Sequence, residues 1–242
     1  MSWAVAIVVG VGVAFAAWFV LPWLLRRQAV RHLHRLCAAR RAIVLTYDDG
    51  PGPRLSPALA DLLARHGVRA TFFMIGARAA GQPQIVQALQ AAGQEIGSHT
   101  QTHLNAWKTP PLAPVRDIRA GRETLARLGA PSALFRPPFG KATLATRLHG
   151  WQSRLTFAFW TVDSRDSWES PRPVAEVLAR IEAQGGGVVL MHDCDAPPRS
   201  PNPAGHPDHV LRLTEAIIAF AAEKQFSLLS FGALLAAPVR EA

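Results

Sequence analysis

From residue 42 onward, short apolar runs of strand length alternate with segments whose apolar side chains recur at helical spacing. In one such segment, Val174, Val177 and Ile181 share a helix face. This alternation predicts an α/β fold with a parallel sheet and crossover helices. About seven strands predict a closed or nearly closed (β/α) barrel, with an open doubly wound sheet as the alternative. The predicted strands are residues 42–47, 70–75, 95–98, 133–135, 155–162, 187–191 and 226–229.

The chain begins with an apolar segment, residues 3–25, that contains no charged side chain. About 20 apolar helical residues cross the hydrocarbon core of a bilayer, so the segment predicts a transmembrane helix. Trp3, Trp18 and Trp23 suit the two membrane interfaces. No basic region precedes the segment and no obvious small-residue cleavage site follows, which disfavours a cleaved signal peptide. A buried core helix is the remaining alternative.

The next segment, residues 26–41, contains six arginines and no acidic residue. Positive flanks tend to stay in the cytoplasm, so a single-pass inner-membrane protein with its C-terminal domain on the cytoplasmic side is predicted. The segment either lays its arginines against anionic headgroups or is a solvated basic helix that only fixes the topology. The formal charge of +9 falls to +3 without these arginines, so no nucleic-acid partner is predicted. The predicted division is an anchor over 1–25, a basic juxtamembrane segment over 26–41 and a domain over 42–242.

Polar clusters follow several predicted strands. Strand carboxyl ends gather at one face of a (β/α) barrel, so these clusters are expected to converge. His99 and His103 are four residues apart, which on a helical turn would place both imidazoles on one side. Two histidines and a carboxylate with an open position describe a catalytic zinc site. The clusters contain Asp48 and Asp49, His99 and His103, Arg136, Asp163 and Asp166, and His192.

The stretches TYDDG, HTQTH, RPPFG, DSRDSW and LMHD occur in this order. They resemble the successive motifs of the polysaccharide deacetylase family, also called NodB-homology domains or carbohydrate esterases of family four. TFFMIG at residues 71–76 resembles that family's second strand, and the resemblance runs from roughly residue 43 to 235. It implies a distorted (β/α) barrel. It also implies a hydrolase that removes N-acetyl, occasionally N-formyl or O-acetyl, groups from sugars with a divalent metal, often zinc.

The resemblance also implies roles for individual residues. Asp49, His99 and His103 are expected to bind the metal. Asp48 is expected to be the general base, and Arg136 to orient it. The backbone N–H of Phe139, in the stiff turn of RPPFG, is expected to face the developing oxyanion.

On the opposite side of the expected site, His192 is expected to be the general acid that protonates the departing amine. Asp166 is expected to orient His192, while Leu190 and Trp168 line a pocket for the acyl methyl group. The family commonly has Asp directly before Trp, whereas Ser167 intervenes here, so Asp163 remains an alternative to Asp166.

The substrate expected from these features is an N-acylated amino-sugar glycan. A cytoplasmic domain would reach sugars linked to a polyprenyl carrier at the inner leaflet. The alternative is a periplasmic deacetylase of peptidoglycan or an exported glycan, and a third reading is an inactive carbohydrate-binding protein. The proline-rich loop over 196–207 is either a stiff rim of the site or a surface connection.

Overall fold

The computed structural model describes residues 3–197 and 204–236 of the 242-residue chain. One continuous helix covers Trp3–Arg40. It comprises α1 (Trp3–Phe15), a π-helical stretch (Ala16–Val20) and α2 (Leu21–Arg40). The other helices described are α3 (Leu55–Arg65), α4 (Gly76–Gly81), α5 (Pro83–Ala91), α6 (Ala113–Arg127), α7 (Leu144–Gln152), α8 (Val174–Gln184), α9 (His206–Glu223) and α10 (Phe231–Ala236).

The sheet contains eight short strands in the described part of the chain, and every pairing is parallel. Its order is β5-β4-β3-β2-β1-β7-β6, with β8 added beside the first residues of β1. The α/β barrel-like fold is therefore confirmed. The strands are β1 (Ala42–Gly50), β2 (Thr71–Met74), β3 (Glu95–Ser98), β4 (Leu134–Phe135), β5 (Thr156–Phe157), β6 (Val162–Asp163), β7 (Gly187–His192) and β8 (Ser227–Leu229).

The barrel has a seam between β5 and β6, the two ends of the strand order. The prediction of one strand over 155–162 was wrong here. The Ala158 N–H donates to the Phe135 carbonyl, whereas the Thr161 N–H donates to the Val188 carbonyl. The chain thus leaves one edge of the sheet and joins the other within three residues. The apolar pattern is continuous across both strands and does not reveal this crossing.

The core forms two layers because both faces of β1 are buried. Ile43, Leu45 and Tyr47 belong to the larger cluster, with side chains of α3, α5, α8 and α9. Ala42 and Val44 point into the other cluster. That second cluster contains Leu33, Leu36 and Cys37 of α2, Phe73, Ala158, Phe159, Val188, Phe231 and Leu234.

The N-terminal helix has two environments. By length and composition it holds a candidate membrane span, with a window of mean hydropathy 2.6 of which none is buried. Its C-terminal half is different, since Leu33, Leu36 and Cys37 are buried against the sheet. The basic segment is therefore neither a free linker nor a helix solvated on all sides. Its arginines line a helix whose apolar side belongs to the core of the domain.

Candidate active site

Asp48 lies at the carboxyl end of β1 and is buried. Arg136, which follows β4 and is fully buried, donates from Nη1 to Asp48 Oδ1 at 2.8 Å. The same nitrogen donates to Thr46 Oγ1 at 2.8 Å, and the guanidinium lies 4.1 Å from the centre of the Phe73 ring. A buried carboxylate needs such a partner, because an isolated ion in the core costs several kcal/mol. The arrangement fixes Asp48 in one orientation.

The backbone of Asp49 has φ +68°, which directs its carboxylate at the imidazoles of His99 and His103. Aspartate is among the few residue types that adopt this left-handed region readily. Its Oδ1 atom lies 3.4 Å from His99 Nε2 and 3.2 Å from His103 Nε2. One ligand atom from each residue lies within 4.8 Å of the others.

The two histidines sit in a loop after β3, not on the helical turn expected from their spacing. Thr100 and His103 have φ of +68° and +62°, which turns the chain back on itself. Asp117 of α6 holds this loop by accepting hydrogen bonds from the Thr102 N–H at 3.2 Å and the Thr102 hydroxyl at 2.8 Å. The His99 and His103 ring centres lie 4.9 Å apart.

These three side chains fit a divalent metal ion. His99 Nδ1 donates to the Arg136 carbonyl at 2.7 Å, which leaves Nε2 free to act as a ligand. Asp49 Oδ1 is buried and forms no hydrogen bond with any described residue. Two imidazole nitrogens and one carboxylate oxygen are the donor set of many catalytic zinc sites.

The electrostatics of the triad also suit a cation. Burial and the neighbouring His99 lower the pKa of His103 to about 4, so its imidazole is neutral at pH 7. Burial opposes charge on His99, but Asp48 and Asp49 outweigh it and raise its pKa. The same two carboxylates that favour a proton on His99 favour a metal ion between the rings.

His192, at the end of β7, faces the site from the other side. Its Nδ1–H donates to Asp166 Oδ1 at 2.9 Å and its backbone N–H donates to Asp166 Oδ2 at 2.7 Å. Asp166 also accepts from the Ser164 hydroxyl at 2.8 Å and from His206 Nε2 at 3.2 Å. Of the two aspartates considered from the sequence, the structure places Asp166 against His192. Asp163 instead caps a turn by accepting from the Arg165 N–H at 2.9 Å.

The charges of this cluster reinforce one another. Burial disfavours the imidazolium of His192, yet the Asp166 carboxylate outweighs it and raises the pKa of His192 to about 10. Burial likewise opposes ionisation of Asp166, but His192 and His206 hold its pKa well below the usual range. His192 is therefore protonated at neutral pH.

A cavity of about 620 Å³ brings the two halves of the site together. The Phe139 ring lines it 4.7 Å from the His103 ring, and its residue has φ +58° in the 3-10 turn Pro138–Gly140. The Gly140 and Lys141 N–H groups close that turn, and no described residue accepts from the Phe139 N–H. The lining includes Asp48, Asp49, His99, His103, Phe139, Trp160, Asp163, Trp168, Leu190 and His192.

The structure thus brings every site residue expected from the sequence to one rim. Sequence reasoning missed His206, which shares Asp166 with His192, and Trp160, which lies in the seam and lines the cavity. The segment 196–207 was predicted to be a loop, but the structure begins α9 at His206. Pro197 of that loop lines the cavity, while residues 198–203 lie outside the described part of the chain.

Comparisons with known proteins agree with this geometry. A profile of the polysaccharide deacetylase family matches residues 35–157. A chitooligosaccharide deacetylase of Bradyrhizobium sp. (strain ANU 289) is 34% identical over 208 residues, which cover 83% of this chain and 93% of that protein. A peptidoglycan-N-acetylglucosamine deacetylase of Bacillus cereus is 35% identical over 159 residues, covering 63% of this chain and 73% of that protein.

The fold has a solved counterpart as well. A family 4 carbohydrate esterase from Streptomyces lividans, in complex with acetate, matches with a TM-score of 0.65 and 28% identity. The match covers 77% of this chain and 91% of that one. Profile, relatives and fold agree, and we conclude that this chain belongs to the polysaccharide deacetylase family and is a hydrolase of that kind.

Proposed function

We propose that the protein is a metal-dependent N-deacylase of amino sugars, anchored in a membrane by its N-terminal helix. The observation that carries the proposal is the contrast between two adjacent carboxylates. Asp48 is buried and held by Arg136 at 2.8 Å. Asp49 directs an oxygen without a hydrogen bond at two imidazole nitrogens. The first is suited to take a proton and the second to bind a cation.

The ion that we propose is Zn²⁺, bound by Asp49, His99 and His103. When bound, a divalent cation supplies Lewis acidity, which acidifies a water molecule and polarises the acyl carbonyl. The three side chains line the cavity that the substrate would enter.

The chain's own residues divide the proton transfers between them. Asp48 accepts the proton of the attacking water, and Arg136 holds its carboxylate in one orientation. The N–H of Phe139 is placed to stabilise the oxyanion that develops on the acyl carbonyl. Trp168 and Leu190 line the cavity and are the proposed contacts of the acyl methyl group.

His192 completes the reaction by protonating the sugar nitrogen as the C–N bond breaks. An amine anion is a very poor leaving group, so an amide requires this acid. The Nδ1–H of His192 is bound to Asp166, which leaves Nε2 to donate its proton in the cavity. Asp166 acts through His192 and is a positioning residue.

For the substrate, we propose an N-acetylated amino-sugar glycan linked to a lipid, with the domain on the cytoplasmic side of the inner membrane. The six arginines that follow the apolar segment favour that side. In this proposal residues 1–25 are the anchor, 26–41 the basic segment and 42–242 the catalytic domain. The alternative is a periplasmic enzyme acting on peptidoglycan or an exported glycan.

The proposal is tested by measuring zinc content and acetate release from an N-acetylated chitooligosaccharide with the full chain in detergent. The intact protein should bind about one zinc and release acetate. His103→Ala should lose both zinc and acetate release. His66→Ala should keep both, because His66 is an exposed histidine at the end of α3 and does not line the cavity. A protein that releases acetate at full rate after exhaustive metal removal would contradict metal dependence. No release with metal bound would favour the inactive binding protein.

A further inference from the structure

Helix α2 runs along the barrel from one end to the other. Near its C-terminal end, Cys37 and Ala38 lie against Gly185 and Gly186. These glycines directly precede β7, so they mark the amino ends of the parallel strands. This end of the helix is therefore at the floor of the barrel, opposite the active site.

Arg26 lies about three turns earlier in the helix, at the active-site end of the barrel. Its guanidinium lies 5.2 Å from the centre of the Trp160 ring, which lines the cavity. Its Nε and Nη2 atoms lie 3.0 Å from the position of a Cβ atom on Gly140, beside Phe139. About two turns earlier again, the Phe19 ring meets Trp107 edge-on with centres 5.6 Å apart. Trp107 belongs to the loop of His99 and His103.

The apolar half of the helix consequently projects from the active-site end. Residues 3–18 continue for about 24 Å beyond Phe19 at the rise of an α-helix. None of the apolar window is buried in the protein. If this segment spans a bilayer, the membrane lies over the mouth of the cavity, because the floor of the barrel faces away from the segment.

The rim is suited to that position. Trp107, Leu112 and Phe139 follow the carboxyl ends of β3 and β4, and they are exposed by 39%, 60% and 47%. Tryptophan is enriched where proteins meet the headgroups, since its ring has an apolar body and one polar group. The Trp107 Nε1–H donates to the Ala142 carbonyl at 2.9 Å, which fixes the ring at the rim.

Two arginines at the seam lack acidic partners. The guanidinium carbons of Arg26 and Arg147 lie 5.7 Å and 5.6 Å from the centre of the Phe159 ring. Neither side chain is in any ion pair found among the described residues, and each has a buried Nε without a hydrogen bond. Two half-buried cations near the level at which the chain enters the membrane are suited to a phosphate group.

We propose that the mouth of the active site opens onto the bilayer surface and that the substrate is an N-acylated sugar carried on a phosphate-linked lipid of the same membrane, with its phosphate beside Arg26 and Arg147. The chemistry rests on the proposed function. The orientation rests on the direction of the helix and is the same on either side of the membrane.

The orientation is tested with nitroxide labels on the full chain in phosphatidylethanolamine–phosphatidylglycerol vesicles. The native Cys37 and Cys194 are both buried, so a label introduced by Leu112→Cys or Glu223→Cys can be attached selectively. Leu112 lies at the rim, whereas Glu223 ends α9 at the floor. Power saturation with oxygen and a nickel chelate should place the label at 112 at the headgroups and the label at 223 in bulk water. The reverse order, or both labels in bulk water, would overturn the proposal.

The substrate class is tested by presenting the same N-acetylglucosamine in two forms, as a prenyl-phosphate glycolipid in these vesicles and as a soluble chitooligosaccharide. The ratio of kcat/KM for lipid over soluble substrate should be at least about tenfold. Arg26→Gln should lower this ratio about tenfold, the worth of one charge-assisted hydrogen bond, while Arg31→Gln, on the exposed side of the helix, should change it little.

The outcomes separate this proposal from the proposed function. If acetate is released but the ratio of kcat/KM for lipid over soluble substrate is near one, the proposal of a lipid substrate is overturned and the deacylase activity is still supported. The same conclusion follows if Arg26→Gln and Arg31→Gln have equal ratios. If the intact protein releases no acetate from either substrate, the proposed function fails. The depths of the nitroxide labels then still decide whether the mouth of the cavity faces the bilayer.

Discussion

At the scale of single residues, the proposed function gives the two neighbouring aspartates separate tasks, because their surroundings differ. Asp48 is tied to a buried arginine, while the left-handed backbone of Asp49 turns its carboxylate towards two imidazoles. Asp48→Asn keeps the shape and removes the basicity. We expect it to retain zinc and to lose about 10²- to 10⁴-fold in kcat, the usual contribution of a general base.

The measurement is kcat for acetate release together with metal content by mass spectrometry, on the wild type, Asp48→Asn and Asp61→Asn. Asp61 is an exposed aspartate of α3 and serves as the control for the loss of one negative charge. If Asp48→Asn kept most of its turnover, or lost its zinc, the assignment of the base would be wrong.

The pair of His192 and Asp166 predicts a pH dependence. The pKa of His192 is raised from 6.5 to about 10, so the acid is protonated below pH 10 and activity should fall as the pH rises through that value. Asp166→Asn removes the carboxylate and leaves the burial, which by itself lowers the pKa. We therefore expect the alkaline limb of the pH profile of kcat to shift to lower pH by at least about two units.

Asp163→Asn provides the matched comparison, since it removes the carboxylate at the last residue of β6, three positions before Asp166. Its side chain accepts from Arg165 and not from His192, so the alkaline limb should stay in place. If the alkaline limb shifted in Asp163→Asn and not in Asp166→Asn, Asp163 would be the residue that supports His192, and the assignment of Asp166 would be wrong.

Most of the site was predictable because its residues lie within compact motifs, each at the end of a strand. His206 was not, since it lies 40 residues beyond Asp166 and nothing in GHPDH specifies its partner. Likewise, the spacing of His99 and His103 indicated a shared side correctly but for the wrong reason. Two positive φ angles and the contacts of Asp117, not a helix, bring the rings together.

At the scale of elements, α2 is part of the barrel although five of its 20 residues are arginines. Leu33 is 4% exposed and lies in the cluster with Val44 and Phe159. Leu33→Ala should lower the free energy of unfolding by about 2–4 kcal/mol, as buried leucines do.

Thermal or urea unfolding of the full chain in detergent measures this change, with His32→Ala, at the exposed neighbouring position, as the control. Equal stabilities of the two variants would mean that α2 is only tethered to the domain.

Two elements do not follow from the apolar pattern of the sequence. Residues 155–162 have a continuous strand-like sequence, and only the change of hydrogen-bond partners between Ala158 and Thr161 divides them at the seam. Helix α7 is the second case, because its short sequence, LATRLHGWQ, has a weak apolar periodicity. It begins with a capping box, in which Thr143 and Thr146 bond each other's backbone, and this local signal was available in the sequence.

At the scale of the whole molecule, the direction of the helix determines which end of the barrel would meet a membrane that the apolar segment spans, but it does not determine the leaflet. The leaflet determines the available substrates. The arginines between positions 26 and 41 favour the cytoplasmic side, where lipid-linked sugars at the inner leaflet are accessible and the assembled cell wall is not.

This leads to a topology prediction for cells that express the full chain with a reporter after Ala242. Alkaline phosphatase, which folds only in an oxidising compartment, should be inactive there, and a fluorescent protein fused at the same point should be bright. The paired reporters control for expression, because one of them must be active on either side. Active phosphatase with a dark fluorescent protein would place the domain outside, with the cavity still facing the bilayer, so the substrate would then be a glycolipid of the outer leaflet.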